Sequence, residues 1–130
     1  MEIILETKRL NISIPTMDSL DNWCKLRSDP EVMTYIGMGA EDKEKSKATL
    51  QKSIKHYEDY GFCLFDIFKK DNNEFIGEAG LIYLNFDKKN EDVEVGYTFH
   101  KKHWGNGYAT ELAEAFVKWG FNTKKLDKIV

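Results

Sequence analysis

The sequence has few of the residues that mark several common protein classes. Its 130 residues include only two cysteines and two prolines, and 22 acidic residues outnumber 19 lysines and arginines. Two cysteines are too few for a disulfide-rich secreted scaffold, and Cys24 and Cys63 fit no metal-ligand spacing. We therefore interpret both as reduced thiols of a cytoplasmic protein and expect no bound metal. The net charge of −3 gives a nucleic-acid partner no overall electrostatic attraction.

Long apolar runs are also missing. The N-terminal stretch MEIILETKRL holds three adjacent apolar residues before charge returns, which is too short for a signal peptide or a membrane span. We therefore expect no association with a membrane. The hydrophobic content of 42% is that of an ordinary globular protein, and the length allows one core, so we expect residues 1–130 to form a single domain.

The spacing of apolar residues predicts both strands and helices. We expect strands over 9–14, 62–68, 75–84 and 92–99, and helices within 16–29, 30–37, 41–60 and 107–119. Thr16 and Asp18 are expected to cap the first helix, and the second is expected to begin at Pro30 and to be closed by Gly37. Gly61 and Gly120 are expected to end the two longest helices, and Gly77 and Gly80 to mark a bulge or a close backbone approach. His56 and His100 have no partner at any motif spacing, so we place both at the surface. This order of elements predicts an α/β (α+β) fold, with helices packed on a mixed sheet.

Two of the nine glycines lie where a helix must begin. In VEVGYTFHKKHWGNGYATEL, which covers 93–112, a strand is followed by a basic turn containing Gly105 and Gly107. The first N–H groups of a helix lack partners and carry the positive end of the helix dipole, and glycine lets an anion approach them closely. The stretch therefore suits a phosphate, although a tight strand-to-helix connection without a ligand is an equally good interpretation. A dinucleotide fingerprint and a P-loop are excluded, because Thr110 replaces a third glycine and Tyr108 and Ala109 replace the required Lys and Ser or Thr.

The chain resembles the GNAT superfamily of acetyl-CoA-dependent N-acetyltransferases, in the branch of ribosomal-protein N-terminal acetyltransferases. ETKRLNISIPTMDSLDNWCKLRSDPEVMTYIG is similar to the opening strand and helices of that branch, and EFIGEAGL is similar to its third strand. VEVGYTFHKKHWGNGYATEL is similar to its fourth strand and coenzyme loop. Together these stretches span nearly the whole chain.

The resemblance implies that acetyl-CoA is the cosubstrate and lies against the strand that ends at Phe99. Its pantetheine arm is expected along Tyr97, Thr98 and Phe99, and its pyrophosphate on the following loop. The loop residues implied are His103, Trp104, Gly105, Asn106, Gly107, Tyr108 and Ala109.

An attacking amine must be neutral, and Glu94 is our candidate for the base that removes its proton, directly or through water. Glu94 is expected beside the thioester, on the strand face opposite Val93 and Val95. A protein α-amine has a reference pKa of about 7.7–8.0, so a modest base suffices. The alternative is that Glu94 is a solvated carboxylate on a strand without a catalytic role. Glu111 is interpreted as a carboxylate in the first turn of the helix within 107–119, where the helix dipole favours negative charge.

Members of the resembled family continue beyond LDKIV through the rest of a fifth strand, a helix and a hairpin. We therefore expect a mixed, mostly antiparallel GNAT-like sheet that is truncated at the start of its fifth strand. The chain is expected to be either a shortened gene product or a half-domain that another copy completes in a homo-oligomer. The leading hypothesis for function is acetyl transfer to a primary amine, such as a protein N-terminus, a polyamine or a small amine. The alternatives are a catalytically inactive acyl-CoA-binding or subunit-interaction module, and a phosphate-binding regulator that uses only the loop.

Overall fold

A computed structural model of the protein describes residues 2–34 and 39–130. Its strands are β1 (Ile3–Glu6), β2 (Leu10–Ser13), β3 (Leu64–Lys69), β4 (Phe75–Tyr83) and β5 (Val93–Phe99). Its helices are α1 (Leu20–Arg27), α2 (Pro30–Met33), α3 (Lys43–Tyr60) and α4 (Tyr108–Asn122). Within the described ranges, no helix is both long enough and apolar enough to span a membrane. The mixed α/β architecture expected from the sequence is confirmed.

The five strands form one antiparallel sheet in the order β1-β2-β3-β4-β5. Strand β1 was not predicted, because its alternation is too short to stand out in the sequence, and it is fixed by pairing with β2. The run that ends the chain adds one parallel bridge, between Val93 and Ile129. The sheet is therefore antiparallel apart from this bridge. Five strands are present, and the last of them, β5, is the strand predicted over 92–99, because β1 adds one strand to the predicted count. The structure does not confirm the expected truncation.

The helices cover both faces of the sheet. Neighbouring residues of a strand point to opposite faces, so Leu64 and Phe65 belong to different layers. Leu64 packs with Trp23 of α1 and Leu50 of α3. On the other face, Phe65 stacks on Phe116 of α4, with ring centroids 6.0 Å apart. Two layers of buried apolar side chains, one on each face, are expected to supply most of the stabilisation.

The helix ends follow the local signals in the sequence, with one exception. Thr16 caps the turn before α1, Pro30 is the first residue of α2, and Gly61 ends α3 with φ 79°. The predicted end of α4 at Gly120 is wrong, because α4 continues to Asn122. Gly120 is instead buried inside the helix, where a Cβ atom would lie 2.7 Å from Ile129 Cδ1. The predicted closure of α2 by Gly37 lies outside the described residues.

Strand β4 contains the close backbone approach that its glycines predicted. A Cβ atom at Gly77 would overlap the carbonyl oxygen of Thr98, and one at Gly80 would overlap that of Cys63. The pairing between β3 and β4 also shifts register between Ile67 and Phe68. Both glycines are therefore required by the spacing between strands.

The prediction that His56 lies at the surface is wrong, since the residue is only 2% exposed. Its Nδ1 lies 2.6 Å from Phe62 O, and its Nε2 accepts a hydrogen bond of 3.2 Å from Tyr83 N. The ring is therefore neutral, donating from Nδ1 and accepting at Nε2. Burial lowers the pKa of His56, because desolvation disfavours the charged imidazolium. His100, in contrast, is partly exposed.

We expect the free energy of unfolding to fall as the pH drops below about 6.5, the pKa of His56 in the unfolded chain. The folded protein holds His56 neutral, so its contribution is present above that pH and is lost at lower pH. The loss is at most about 1.4 kcal/mol for each pH unit. Urea unfolding at several pH values should show a shallower dependence for His56→Gln than for the unsubstituted protein, and parallel curves would contradict the assignment.

Candidate active site

A cleft of about 340 Å³ opens between the end of β5 and the start of α4. Its lining comprises Val32, Tyr97, Thr98, Phe99, His103, Trp104, Gly105, Gly107, Tyr108 and Ala109. Nine of the ten residues expected to contact a coenzyme therefore lie together, the exception being Asn106. Val32 of α2 was not foreseen, because nothing in its local sequence marks it as part of a site. The lining is mostly apolar, and most of its polar groups belong to the loop.

The loop backbone turns sharply before α4 begins. A short 3₁₀ turn covers Lys101–His103, and Gly105 and Gly107 follow with φ of 77° and 79°. These values lie in the left-handed region that favours glycine. A Cβ atom at Gly105 would have no heavy atom within 4 Å, so that position opens onto free space. Asn106 holds the turn from within, since its Nδ2 donates to His103 O at 3.0 Å.

The N-terminus of α4 has no side-chain cap. Gly107 is the N-cap residue, and it has no side chain that could accept a hydrogen bond from the first N–H groups of this 15-residue helix. The positive end of the helix dipole is therefore left beside the cleft. A ligand carrying negative charge would be favoured at this point.

Aromatic side chains form much of the cleft wall. Tyr97 and Phe99 are stacked with ring centroids 5.6 Å apart, and Trp104 Nε1 donates to Phe99 O at 2.9 Å. Tyr97 is 52% exposed and Trp104 is 48% exposed, which is high for side chains of this size. Exposed aromatic walls around an apolar cleft are typical of a ligand site.

Acidic partners offset part of the basic charge of the loop. Lys101 pairs with Glu31 at 3.3 Å, while Glu74 accepts from both Lys102 and His103. The Lys102 ammonium lowers the pKa of Glu74 to about 2. The helix N-terminus, rather than these lysines, is therefore the distinctive positive feature facing the cleft.

A long-range ionic contact fixes the start of α4. Glu111 accepts hydrogen bonds from Thr7 Oγ1 at 2.5 Å, from Arg9 N at 3.0 Å and from Arg9 Nε at 2.7 Å. These bonds lower the pKa of Glu111, even though desolvation opposes that change. Its role as a first-turn carboxylate thus includes binding the β1–β2 turn. Sequence reasoning missed Thr7 and Arg9, because their partner lies about a hundred residues away.

Glu94 lies on β5 but does not line the cleft. It is paired with Ile82 of β4, and four residues separate it from Thr98 on the same face. Four residues of an extended strand span about 13 Å. The structure therefore brings the coenzyme candidates together but leaves Glu94 apart from them.

A buried charged cluster lies behind Thr98. Glu78, the cross-strand partner of Thr98, is fully buried and forms an ion pair with Arg27, which also binds Glu41 at 2.8 Å. Burial raises the pKa of Glu78 to about 7, although Arg27 opposes the shift. Its Oε2 atom has no hydrogen-bond partner among the described residues. The cluster therefore links α1, which carries Arg27, and the segment before α3, which carries Glu41, to strand β4, which carries Glu78.

Comparison with known proteins shows the family to which the sequence is similar. Residues 9–130 match the family model described as an acetyltransferase (GNAT) domain. YkkB, an uncharacterized protein of Bacillus subtilis strain 168, is 35% identical over 104 residues, which are 80% of this chain and 59% of YkkB. This chain therefore spans less than two thirds of that relative.

Solved structures show the same fold. A GNAT-family acetyltransferase from Bacillus anthracis superimposes with a TM-score of 0.78 at 25% identity, over 99% of this chain and 71% of the other. RimL, a ribosomal L7/L12 alpha-N-protein acetyltransferase solved with coenzyme A, has a TM-score of 0.73 at 16% identity, over 94% and 69% of the two chains. At that identity RimL shows likeness of fold alone. The family match, which extends over most of the sequence, establishes that this chain belongs to the GNAT acetyltransferase domain family.

Proposed function

We propose that residues 1–130 act as one domain that transfers an acetyl group from acetyl-CoA to a primary amine. The observation that carries this proposal is the aromatic-walled cleft that opens onto the uncapped N-terminus of α4. An apolar channel ending at a positive helix terminus matches a molecule with an apolar arm and a diphosphate. Family membership supports the same chemistry.

The residues of the cleft fit the two halves of such a molecule. The pantetheine arm would lie along Tyr97, Thr98 and Phe99, where apolar and aromatic surface is available. The pyrophosphate would lie on 103–109, where Gly105 and Gly107 leave the backbone N–H groups uncovered. Bound acetyl-CoA would supply an activated acetyl thioester.

The outer edge of β5 offers a means of stabilising the reacting carbonyl. Among the described residues, β5 pairs with β4 on one side, and on the other only Val93 is bridged, to Ile129. Backbone N–H groups on this open edge could donate to an oxyanion as the amine attacks. We retain Glu94 as the candidate base, acting through water because it lies outside the cleft.

The acceptor that we favour is a protein N-terminus, as in the ribosomal-protein branch of the family. An α-amine needs little help to lose its proton at neutral pH, which suits a site whose candidate base, Glu94, does not line the cleft. A polyamine or a small amine would serve as an acceptor by the same chemistry. Panels of peptides and amines would rank these three classes.

We expect Gly107→Ala to weaken acetyl-CoA binding by about tenfold or more, because a Cβ atom at this position covers N–H groups at the mouth of α4. Gly61→Ala is the matched control, since Gly61 has the same φ of 79° but caps α3. Both substitutions should destabilise the fold by about 1–2 kcal/mol through left-handed backbone strain. Isothermal titration separates the two effects, and equal affinity in both variants would contradict the assignment.

Mixing the protein with acetyl-CoA and an amine should release free thiol, and Glu94→Gln should lower kcat by about a hundredfold while leaving coenzyme affinity unchanged. Glu91→Gln provides a control for loss of one carboxylate near the start of the same strand. A thiol assay measures the rates. Coenzyme binding without thiol release would instead favour the catalytically inactive binding module, and an unchanged rate in Glu94→Gln would remove Glu94 from the mechanism.

We also propose that two copies associate through the side of the sheet next to β5. This side presents the open strand edge together with Val117 and Phe121 of α4, which are 36% and 40% exposed. Exposed apolar residues beside an unpaired strand edge favour association. Sedimentation should show a dimer whose population rises with concentration, and Phe121→Lys should reduce it. A monomer at every concentration would refute this part of the proposal.

A further inference from the structure

A second groove, of about 320 Å³, lies on the other side of Tyr108 from the cleft. It is lined by Lys8, Arg9, Lys69, Lys70, Asp71 and Tyr108. We call it the basic groove. Its walls are the turn between β1 and β2 and the turn between β3 and β4.

The walls of the basic groove are held in place by backbone contacts. Lys70 N donates to Arg9 O at 2.9 Å, and Leu10 is paired with Lys69 in the sheet. Lys69 N also donates to Glu74 O at 2.9 Å, which closes the β3–β4 turn. The basic side chains therefore project from two turns with a fixed separation.

Positive charge dominates the basic groove. Four of its six lining residues are cationic, and Asp71 is the one carboxylate among them. Lys70 pairs with Glu6 at 3.3 Å and Lys69 with Asp71 at 3.7 Å, but Glu6 and Asp71 are 61% and 72% exposed. Exposed ion pairs of this kind contribute little to stability, so both lysine side chains can leave these carboxylates and bind a more highly charged anion. Lys8 forms no ion pair with any residue in the described part of the chain.

The basic groove is continuous with the start of α4. Tyr108 lines both the cleft and the groove, and Arg9 Cζ lies 4.4 Å from the centre of its ring. Arg9 Nη2 lies 3.6 Å from the position that a Cβ atom would occupy at Gly107. Because Glu111 fixes Arg9 Nε, the free end of the guanidinium is directed along this boundary. A ligand with one phosphate at the helix mouth would therefore meet Arg9 next, and then the lysines.

We propose that the basic groove binds the 3′-phosphate of coenzyme A, an inference that rests on the proposed function. That phosphate is separated from the coenzyme's diphosphate by one ribose, as the basic groove is separated from the helix mouth by Tyr108 and Arg9. A phosphate monoester is a strong acceptor that lysine binds as a point charge and arginine binds with its planar fork. The basic groove would thus distinguish coenzyme A from its 3′-dephospho form.

Isothermal titration with coenzyme A and with 3′-dephospho-coenzyme A tests this inference directly. The unsubstituted protein should bind coenzyme A about tenfold more tightly or better, as expected for loss of a charge-assisted contact. The double variant Lys8→Ala/Lys70→Ala should bind the two ligands with nearly equal affinity, while its affinity for the dephospho form stays unchanged. Both lysines are exposed, so the variant should fold normally.

The matched control is Lys52→Ala/Lys55→Ala, which removes the same charge from exposed positions on α3 and should keep the preference for coenzyme A. Equal binding of the two ligands by the unsubstituted protein would overturn the inference but leave the proposed function standing. A preference that persists in Lys8→Ala/Lys70→Ala would also overturn it, because the phosphate would then bind elsewhere. Failure of both ligands to bind the unsubstituted protein would overturn the proposed function itself.

Discussion

The contact between Glu111 and the β1–β2 turn determines where the α4 helix begins. Thr7 and Arg9 together place three donors on one carboxylate, and charge-assisted hydrogen bonds of this kind are stronger than neutral ones. The contact joins the turn between the first two strands to the first turn of the last helix. Without it, the first turn of α4 would depend more on the packing of Tyr108 and Leu112, and its position beside β5 would be less firmly fixed.

The loop of residues 100–107 connects the end of β5 to the start of α4, which lies on one face of the sheet. It does so with a 3₁₀ turn, two left-handed glycines and an asparagine that bonds back to the loop. This connection leaves the first N–H groups of α4 without a side-chain cap, next to the exposed rings of Tyr97 and Trp104. The uncapped N–H groups at the start of α4 thus follow from how the chain enters the helix.

Signals that are local in sequence predicted their structures well. Thr16, Pro30 and Gly61 mark helix ends through their own backbone preferences, and the alternation before Phe99 gave β5. The features that were missed depend on partners that only the folded chain brings together. The sequence around His56 suggests a surface residue, because its hydrogen-bond partners Phe62 and Tyr83 are identified only in the folded structure. The contact of Glu111 with Thr7 and Arg9 likewise forms only when the chain is folded. The loop of residues 103–109 could be located from its glycines and from the resemblance to a family, whereas the place of Val32 in the cleft and the separation of Glu94 from it could not.

The two glycines of β4 also limit how the sheet can assemble. Sliding β4 by one residue against β3 and β5 would replace a glycine with a residue that has a side chain, such as Ala79 or Leu81, at a point where a carbonyl oxygen leaves no space. The same slip would turn the buried carboxylate of Glu78 toward the apolar layer under α4. Misaligned pairings are therefore excluded twice, by sterics and by charge. Strand β4 consequently has a single acceptable alignment before any helix packs onto it.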